Sequence, residues 1–490
     1  MVSRMLLKHF IGISADTNKI TLFSKIPKKL VNSTKNLMVQ NILTATTPAG
    51  KTHRGHLRAM RQDMIGYLEN LARQGDFLRI SFGLLGSAYF VNSPDLVQEI
   101  LLKQARKFHK PFIVKYTAKE FFGENVFTSD GELWQVLRAA IQPAFHAQRI
   151  NAYASLMVDY TKAMLSQWQP GQVIDIPQAM MDLTLGITTK ALFGQDLRND
   201  VAGQAIIRFI ELFSQRLSTL PVPAWLPIPS NWEIKRQIAI IDRHLSPLIA
   251  ERHQSFAEHD DVLSMLIQAQ AADTTGLLTN QQIKNEVLNL FAAGYEVTAH
   301  TLAFTLYLIS QHPDVEARLF DEINRVVGQR AITQGVAPKA IAIPDLEQMP
   351  YLEMVLKESM RLLPVTTVLS RQAIEKVVLN GYTLPKNSLV LFAPWTLHRC
   401  PEYFPNPLGF DPERFHPDRK DKIPKFAYLP FSVGPRICIG NAFAMMQMRI
   451  NLATILQYYQ LTVAPRYQFE PFYSFNTRPK NGLPMTVEVR

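Results

Sequence analysis

The apolar positions follow two different periods along the chain. Residues 76–91 (DFLRISFGLLGSAYFV) combine β-branched and aromatic residues with glycines, which predicts strands. From about 131 to 270 the apolar residues recur at helical spacing, and a proline-rich stretch at 221–231 predicts a break between two helices. Short strands are predicted again over 367–392. The predicted fold class is therefore mainly α with a minor β portion.

One predicted helix is longer than the others. It begins near Thr279, which forms a capping-box pattern with Gln282, and it runs to the stop at His312-Pro313. At about 1.5 Å per residue, roughly 30 residues reach about 45 Å, the full width of a domain. A further helix is predicted over 351–363.

Length and composition indicate a large globular core. The chain has 490 residues, of which 47% are hydrophobic and 19% charged, and no linker-like stretch divides them, so one large domain is predicted. No run of roughly 20 uncharged apolar residues, the length that spans a bilayer, occurs. The two cysteines, Cys400 and Cys438, are too few for a disulfide framework and favour a reducing, cytoplasmic compartment.

The net charge of +11 is concentrated at the N-terminus. The first 60 residues hold ten Lys or Arg and one acid, so the rest of the chain is nearly neutral and no nucleic-acid partner is predicted. Residues 1–47 are predicted to be a separate basic segment. Peripheral contact with an anionic membrane surface, a targeting role and a solvated tail all remain open for it.

A long polar, proline-rich segment, residues 393–437, leads to the strongest local motif, and internal loops of this length are usually functional. The motif is FSVGPRICIG at 431–440. Cys438 lies just before the final predicted helix, where unpaired N–H groups and the helix dipole favour a thiolate. Gly434 allows a tight turn. A lone cysteine of this kind is more often structural, so the reactive interpretation depends on further motifs.

This segment resembles the cysteine signature of the cytochrome P450 family, Phe-x-x-Gly-x-Arg-x-Cys-x-Gly. The positions that match are Phe431, Gly434, Arg436, Cys438 and Gly440. The resemblance extends from about residue 75 to the C-terminus. It implies a cytochrome P450 fold in a single large haem domain over residues 48–490, with haem b (iron protoporphyrin IX) as cofactor and Cys438 as the iron ligand.

Two further motifs fit the same family. The predicted helix at 351–363 contains Glu358-Ser-Met-Arg361, which resembles the family's Glu-x-x-Arg, and FDPERF at 410–415 resembles the segment that supplies Arg414. The resemblance implies that these three side chains form a buried network bracing the cysteine loop. Spacing i, i+3 does place Glu358 and Arg361 on one helix face.

The resemblance also implies a set of haem-propionate ligands. Trp134 and Arg138 lie at i, i+4 in a segment that resembles the family's Trp-x-x-x-Arg helix. Arg371, ten residues before Gly381, matches another propionate-binding arginine, and Arg436 is the third cation. An arginine can pair with a carboxylate through two parallel hydrogen bonds.

FAAGYEVTAH at 291–300 resembles the family's oxygen-binding stretch, with one departure. Ala293 and Gly294 provide a small-residue groove and Glu296 the acidic position, but Val297 replaces the usual threonine. Thr298 is about 100° further around the helix, so it does not simply substitute. Water, Thr298 or a substrate hydroxyl is expected to supply the proton.

The resemblance implies a monooxygenase that inserts one atom of dioxygen into an apolar substrate, such as a fatty acid or terpenoid. About fifty residues follow Cys438, so a separate electron donor (ferredoxin, flavodoxin or reductase) is expected. Lys420, Lys422 and Lys425 are candidate docking charges, with a solvated loop as the alternative. Because of Val297, a peroxygenase, isomerase or dehydratase remains open. The small-residue groove argues against a haem sensor or carrier.

Overall fold

The computed structural model describes residues 53–82, 86–218, 226–255, 259–328, 339–473 and 476–490. The predicted basic segment 1–47 lies outside the described residues. The chain forms two compact units. The first contains residues up to His109 together with 370–392, and the second contains 110–369 and 393–490.

The first unit combines two N-terminal helices with a five-stranded sheet. Its elements are α1 (His53–Gln62), α2 (Met64–Gln74), β1 (Phe77–Ser81), β2 (Ser87–Val91), α3 (Pro94–Gln98), β3 (Phe108–His109), β5 (Leu369–Ala373), β6 (Val377–Leu379), β7 (Tyr382–Leu384) and β8 (Leu389–Phe392). The strand order is β1-β2-β8-β5-β3, and β6 pairs with β7 in a separate hairpin. Phe77 lies opposite Val91 in the antiparallel β1–β2 pair, and Ala88 lies opposite Leu389 in the parallel β2–β8 pair. The strands predicted over 76–91 and 367–392 are confirmed.

The second unit holds most of the helices. They are α4 (Phe112–Phe122), α5 (Gly131–Ile141), α6 (Ala147–Ala152), α7 (Ala154–Leu165), α8 (Ile176–Phe193), α9 (Val201–Ser218), α10 (Pro229–Ser255), α11 (Val262–Ala271), α12 (Asn280–Ser310), α13 (Pro313–Val327), α14 (Ile343–Glu347), α15 (Pro350–Leu362), α16 (Pro394–Leu397), α17 (Pro417–Lys420) and α18 (Asn441–Tyr458). Its strands are β4 (Val173–Asp175), β9 (Tyr459–Val463), β10 (Pro471–Tyr473), β11 (Thr477–Pro479) and β12 (Pro484–Val489). They form a three-stranded sheet, β4-β12-β9, and a β10–β11 hairpin. The mainly helical prediction is confirmed.

α12 is the predicted long helix, with 31 residues. Its N-cap is Thr279, whose side chain accepts a hydrogen bond from Gln282 N at 3.3 Å, as the capping pattern predicted. The helix packs along α8, where Thr184 Oγ1 donates to Tyr295 O at 2.9 Å. A Cβ added at Gly294 would lie 3.1 Å from Thr188 Cγ2, so the close approach of the two helices favours glycine there.

The predicted loop at 393–437 contains short helical turns. α16 and α17 lie within it, together with a 3₁₀ turn at Pro412–Phe415 that carries Arg414. The predicted helix at 351–363 is α15, which begins one residue earlier at Pro350. Along the described ranges, no helix combines the length and the apolar character that crossing a membrane requires.

A buried carboxyl group joins α12 to the loop between α4 and α5. Glu286 is 0% exposed; its Oε2 accepts a hydrogen bond from Val126 N at 2.7 Å and its Oε1 accepts one from Asn289 Nδ2 at 3.0 Å. Asn285 Nδ2 donates to Glu124 O at 3.1 Å in the same loop. Burial raises the pKa of Glu286 to about 7, because desolvation outweighs the hydrogen bonds that lower it.

Glu286 should therefore make the stability of the fold depend on pH. Because its pKa is higher in the folded chain than the ordinary 4.5, its contribution is fully present below that value and is lost as the pH rises through about 7. Glu286→Gln removes this titration. We expect the variant to gain roughly 3 kcal/mol in unfolding free energy relative to the wild type between about pH 5 and pH 8.

Urea unfolding of both proteins at the two pH values measures this difference. Glu211→Gln is the matched control, because Glu211 is an exposed carboxylate on α9. The unfolding free energy of Glu211→Gln relative to the wild type should be nearly the same at the two pH values. Equal pH slopes for the wild type and Glu286→Gln would contradict a titrating buried carboxyl.

Candidate active site

The cysteine loop is a series of tight turns ahead of α18. Cys438 N donates to Phe431 O at 3.0 Å, and Ile437 N donates to Gly434 O at 3.0 Å. Gly434 has a φ of +79° and Ser432 a φ of +60°, so two residues of the loop adopt left-handed backbone conformations. The first of these is the predicted glycine turn.

The Cys438 side chain keeps accessible surface. The protein atoms around it nevertheless raise the pKa of the thiol above its usual value through desolvation. The N–H of Gly440 and the charge of Arg138 act to lower that pKa without overcoming desolvation. The expected thiolate is therefore not stabilised by the protein alone. A bound metal cation deprotonates a coordinating thiol outright.

Three of the predicted propionate ligands lie around this loop. Arg138 of α5 donates through Nη1 to Ile437 O at 3.1 Å, and Arg436 stacks over the Trp134 ring at 4.6 Å from its centroid. Burial lowers the pKa of both arginines from the ordinary value, which reflects a poorly hydrated setting. Buried cations of this kind require anionic partners.

One of these anions belongs to the protein itself. Asp130, the N-cap residue of α5, forms an ion pair with Arg436, whose Nη2 also donates to Ser129 O at 2.9 Å. Lys115 Nζ lies 2.5 Å from the other oxygen of Asp130. Sequence reasoning missed Asp130, although its position directly before a predicted helix is typical of an N-cap.

Arg371 lies in the first unit, on β5, and is mostly buried. Its Nη1 donates to Ser370 O at 2.8 Å. The propionate-binding role suggested for Arg371 stays a prediction.

The predicted Glu-x-x-Arg network is a buried cluster. Arg361 donates through Nε to Glu358 Oε2 at 2.7 Å and through Nη2 to Oε1 at 2.8 Å, and both residues are 0% exposed. Arg414, 6% exposed, donates through Nε to Glu358 Oε1 at 3.1 Å. The remaining N–H groups donate to backbone carbonyls at His398, Pro405, Asn406, Pro407 and Gly409. The cluster thus orders the chain segment that precedes the cysteine loop.

His398 connects this cluster to the loop. Its carbonyl accepts a hydrogen bond from Arg361 Nη1 at 2.8 Å, and its ring Nε2 accepts one from Leu429 N at 2.8 Å, two residues before Phe431. Burial lowers the pKa of His398 to about 3, and Arg361 acts in the same direction. The ring is therefore neutral and acts as an acceptor. No local sequence pattern indicated this role, because the partner is a backbone amide 31 residues away.

The predicted oxygen-binding stretch presents two different faces of α12. Ala293 is exposed and Val297 is half-buried, although the helix is otherwise largely buried, so these two residues form an accessible surface on α12. Gly294 and Thr298 lie on the side that packs on α8, where Thr298 Oγ1 donates to Gly294 O at 3.1 Å. Gly294 thus packs close to Thr188 of α8, and the groove expected at Ala293 and Gly294 stays a prediction.

Glu296 is held by polar partners. Asn476 Nδ2 donates to its Oε2 at 3.1 Å, and His300 Nε2 lies 3.7 Å from its Oε1. Sequence reasoning missed His300, although its i, i+4 spacing from Glu296 was a readable signal.

The residues of the second unit fit an iron porphyrin. An accessible cysteine sulfur, two partly desolvated arginines and an accessible small-residue stretch of α12 match the chemistry of a flat apolar ring with two carboxylates. Cys438 would ligate the iron. Arg138, Arg436 and Trp134 would supply the cations and the ring N–H for the carboxylates.

Comparison with known proteins agrees with this chemistry. A family model described as Cytochrome P450 matches residues 48–485. The chain belongs to the cytochrome P450 family.

Individual P450 relatives cover most of the chain. Cyclooctat-9-en-7-ol 5-monooxygenase of Streptomyces melanosporofaciens is 32% identical over 426 residues, covering 86% of this chain and 90% of that protein. Pentalenene oxygenase of Streptomyces avermitilis is 27% identical over 432 residues, covering 88% and 94%. In fold, the chain is similar to the crystal structure of the cytochrome P450DA heme domain, with a TM-score of 0.80 at 23% identity, covering 92% of this chain and 98% of that one.

Membership of the P450 family fixes the class of protein. The cofactor is haem b, and the protein is an oxidoreductase of the haem-thiolate monooxygenase type. The predicted family, fold class and cofactor are confirmed.

The buried cluster predicts a large effect of a small substitution. Glu358→Gln leaves Arg361 and Arg414 in the interior without a counter-ion, so we expect a loss of about 3–5 kcal/mol of unfolding free energy and poor haem retention. Soluble yield, haem content per chain and the urea midpoint measure the effect.

Glu353→Gln on the same helix is the matched control. Glu353 pairs with Lys357 at 2.6 Å, but both side chains are about one-third exposed, so the expected loss is about 0–1 kcal/mol. Normal haem content and an unchanged midpoint in Glu358→Gln would show that the cluster is dispensable.

Proposed function

We propose that this P450 inserts one oxygen atom of dioxygen into a cyclic terpenoid, with electrons from a separate donor. The choice of substrate class rests on two relatives. Both align with more than four-fifths of the chain, and their names refer to oxygenation of cyclooctat-9-en-7-ol and of pentalenene. When bound, haem with a thiolate ligand supplies the iron centre at which the oxygen–oxygen bond is cleaved. The protein supplies ligation, orientation and proton control.

The proposed roles follow from the contacts of each residue. Cys438 would ligate the haem iron, and the N–H of Gly440 and the Arg138 charge favour the ionised sulfur. Trp134, Arg138 and Arg436 are proposed to bind the propionates, and the same role stays a prediction for Arg371. Arg138 is well placed for this because its guanidinium is desolvated beside the cysteine loop.

The substrate pocket is proposed to be lined by apolar side chains. Candidate residues are Phe291, Val365, Val368 and Leu369. Ala293 and Val297, which form the accessible surface on α12, are proposed to line the same pocket. None of these residues carries a charge, so a fatty-acid carboxylate has no counter-ion among them, which favours an uncharged hydrocarbon skeleton. Apolar pockets with a few polar groups are usual for ligands of this class.

The electron donor is proposed to be a separate protein with an acidic surface. Lys420, Lys422 and Lys425 are exposed, as a docking role requires. A recess of about 310 Å³ beside the cysteine loop is lined in part by Lys357, Phe431 and Met445. This recess supplies a second candidate contact on the same unit.

The ligation proposal predicts a spectroscopic signature. Reduced wild-type protein with carbon monoxide should show the red-shifted Soret band of thiolate ligation, and Cys438→Ser should abolish it because the hydroxyl is a poor ligand. Cys400→Ser is the matched control and should keep the band. Retention of the band in Cys438→Ser would exclude Cys438 as the ligand.

The substrate proposal predicts selectivity for shape. Titration of the ferric protein with cyclic terpene hydrocarbons and alcohols should change its absorption spectrum at micromolar concentrations. Fatty acids and linear alcohols of the same carbon number should bind at least about tenfold more weakly, a difference of about 1.4 kcal/mol. A response confined to fatty acids would overturn the terpenoid assignment.

Val297 favours one second candidate function, a peroxide-driven oxygenation. Valine keeps the volume of the usual threonine but has no proton donor, and the Thr298 hydroxyl is bonded to Gly294 O on the other face of α12. Hydrogen peroxide already carries the two electrons and two protons that dioxygen would have to take up, so this route needs no reductase and depends less on a proton donor at position 297. The two routes differ in which reagent drives turnover.

Comparison of the two drivers distinguishes these functions. With reductase and the best-binding terpenoid, Val297→Thr should raise product per NADPH severalfold, because a positioned proton donor contributes up to about 10²–10⁴ in rate. Thr298→Val, which changes only the buried hydroxyl, should have little effect. Efficient turnover with hydrogen peroxide and negligible turnover with reductase in the wild type would favour the peroxygenase.

A further inference from the structure

The Glu296 carboxylate is fixed by two side chains. Asn476, next to β11, donates to Oε2 at 3.1 Å, and His300, one turn along α12, places Nε2 3.7 Å from Oε1. The Glu296 side chain keeps 17% of its surface exposed, whereas that of His300 is only 3% exposed. The carboxylate thus retains access to its surroundings while the imidazole is enclosed.

His300 has no other polar contact within the described ranges of the chain. Its Nδ1 is buried and accepts or donates no hydrogen bond there, and its neighbours on α12, from Ala299 to Phe304, are all buried. Burying an imidazole with one ring nitrogen unpaired costs free energy. The contact with Glu296 is therefore the interaction that accounts for a histidine at this position.

The positive charges near Glu296 lower the pKa of its carboxyl group. Burial raises the pKa of the carboxyl, but the hydrogen bonds from His300 and Asn476 and the charges of His300 and Arg478 outweigh it, so the pKa lies below its usual value. Tyr295 is the adjacent titratable group, and its pKa is raised by burial and by the charges of Glu296 and Glu211 of α9.

The hydroxyl groups near Val297 already donate hydrogen bonds to backbone carbonyl groups of α12. Thr298 Oγ1 donates to Gly294 O at 3.1 Å, and Thr301 Oγ1 donates to Val297 O at 2.8 Å. With valine at 297, Glu296 carries the carboxylate of the stretch from 293 to 298, and its lowered pKa keeps it ionised at neutral pH. Its orientation then determines where a proton is taken up or released.

We propose that His300 is a positioning residue, which holds the Glu296 carboxylate in a fixed orientation beside the hydroxyl-free position at Val297. This role rests on the proposed monooxygenase function, since it concerns proton exchange in that site. His300 acts through Nε2 on Glu296 Oε1, while Asn476 holds the other oxygen. Val297 stands where the family usually has threonine, and the carboxylate of the adjacent Glu296 is held by two side chains.

The test compares His300→Leu with His300→Gln in the haem-loaded, full-length protein. Leucine removes the donor, whereas glutamine keeps an N–H near the Nε2 position without a titratable ring. The first readout is the infrared band of the protonated Glu296 carboxyl, identified by its loss in Glu296→Gln and followed against pH without substrate or turnover. The second is the pH profile of hydrogen peroxide release from NADPH oxidation with a surrogate reductase.

His300→Leu should raise the midpoint of the carboxyl band by about one pH unit or more, since the largest lowering influence is lost, and should move the peroxide-release profile to higher pH in parallel. His300→Gln should return most of both shifts. Asn476→Ala should produce a smaller shift in the same direction, which keeps the test decisive should His300→Leu fold poorly. Thr305→Val, a buried polar change on α12 whose hydroxyl donates to Thr301 O, is the control and should shift neither.

Unchanged band midpoints in both His300→Leu and Asn476→Ala would overturn the proposal. A midpoint shift that appears in His300→Leu and that His300→Gln also shows in full would likewise overturn the proposal. The charge of the ring, rather than a polar contact that positions the carboxylate, would then determine the pKa of Glu296. Failure of the monooxygenase function is distinguishable, since the infrared titration requires no turnover. In that case, the band shifts would persist in a protein that oxidises no terpenoid.

Discussion

The ordered environment of the cysteine depends on the burial of one carboxylate. Glu358 accepts hydrogen bonds from Arg361, from Arg414 and from Asp411 N, and none of the three charged side chains is more than 6% exposed. Taking three charges out of water is costly unless every donor is satisfied. The guanidinium groups meet that requirement by donating to carbonyls between His398 and Gly409. A segment with little regular structure is thereby held in one conformation.

The same constraint extends to the cysteine loop. His398 accepts a hydrogen bond from Arg361 through its own backbone carbonyl and one from Leu429 N through its ring, so the position of the loop follows from that of the buried cluster. Arg436 and Asp130 tie the loop to the start of α5 from its other end. A thiol whose pKa is raised by desolvation is thereby held in a defined position from which it could ligate a metal.

The residues around Val297 show which polar groups lie near the position that lacks the usual threonine hydroxyl. Ala293 and Val297 form an accessible surface on α12, while the Thr298 hydroxyl, about 100° further around the helix, is bonded to Gly294 O. Glu296 is held by His300 and Asn476. Proton chemistry near this surface is therefore proposed to depend on a fixed carboxylate rather than on a hydroxyl, and the apolar substrate needs no polar partner there.

The sequence by itself determined the features that are local along the chain. The cysteine loop, the Glu358–Arg361 pair and the long helix capped by Thr279 are set by spacing, turn residues and apolar period within a few turns, and these are readable from one sequence. Tertiary structure alone decided the pairing of Arg436 with Asp130 and of the His398 ring with Leu429 N. Those contacts join residues far apart in the chain, and a backbone amide or carbonyl partner leaves no mark on side-chain identity.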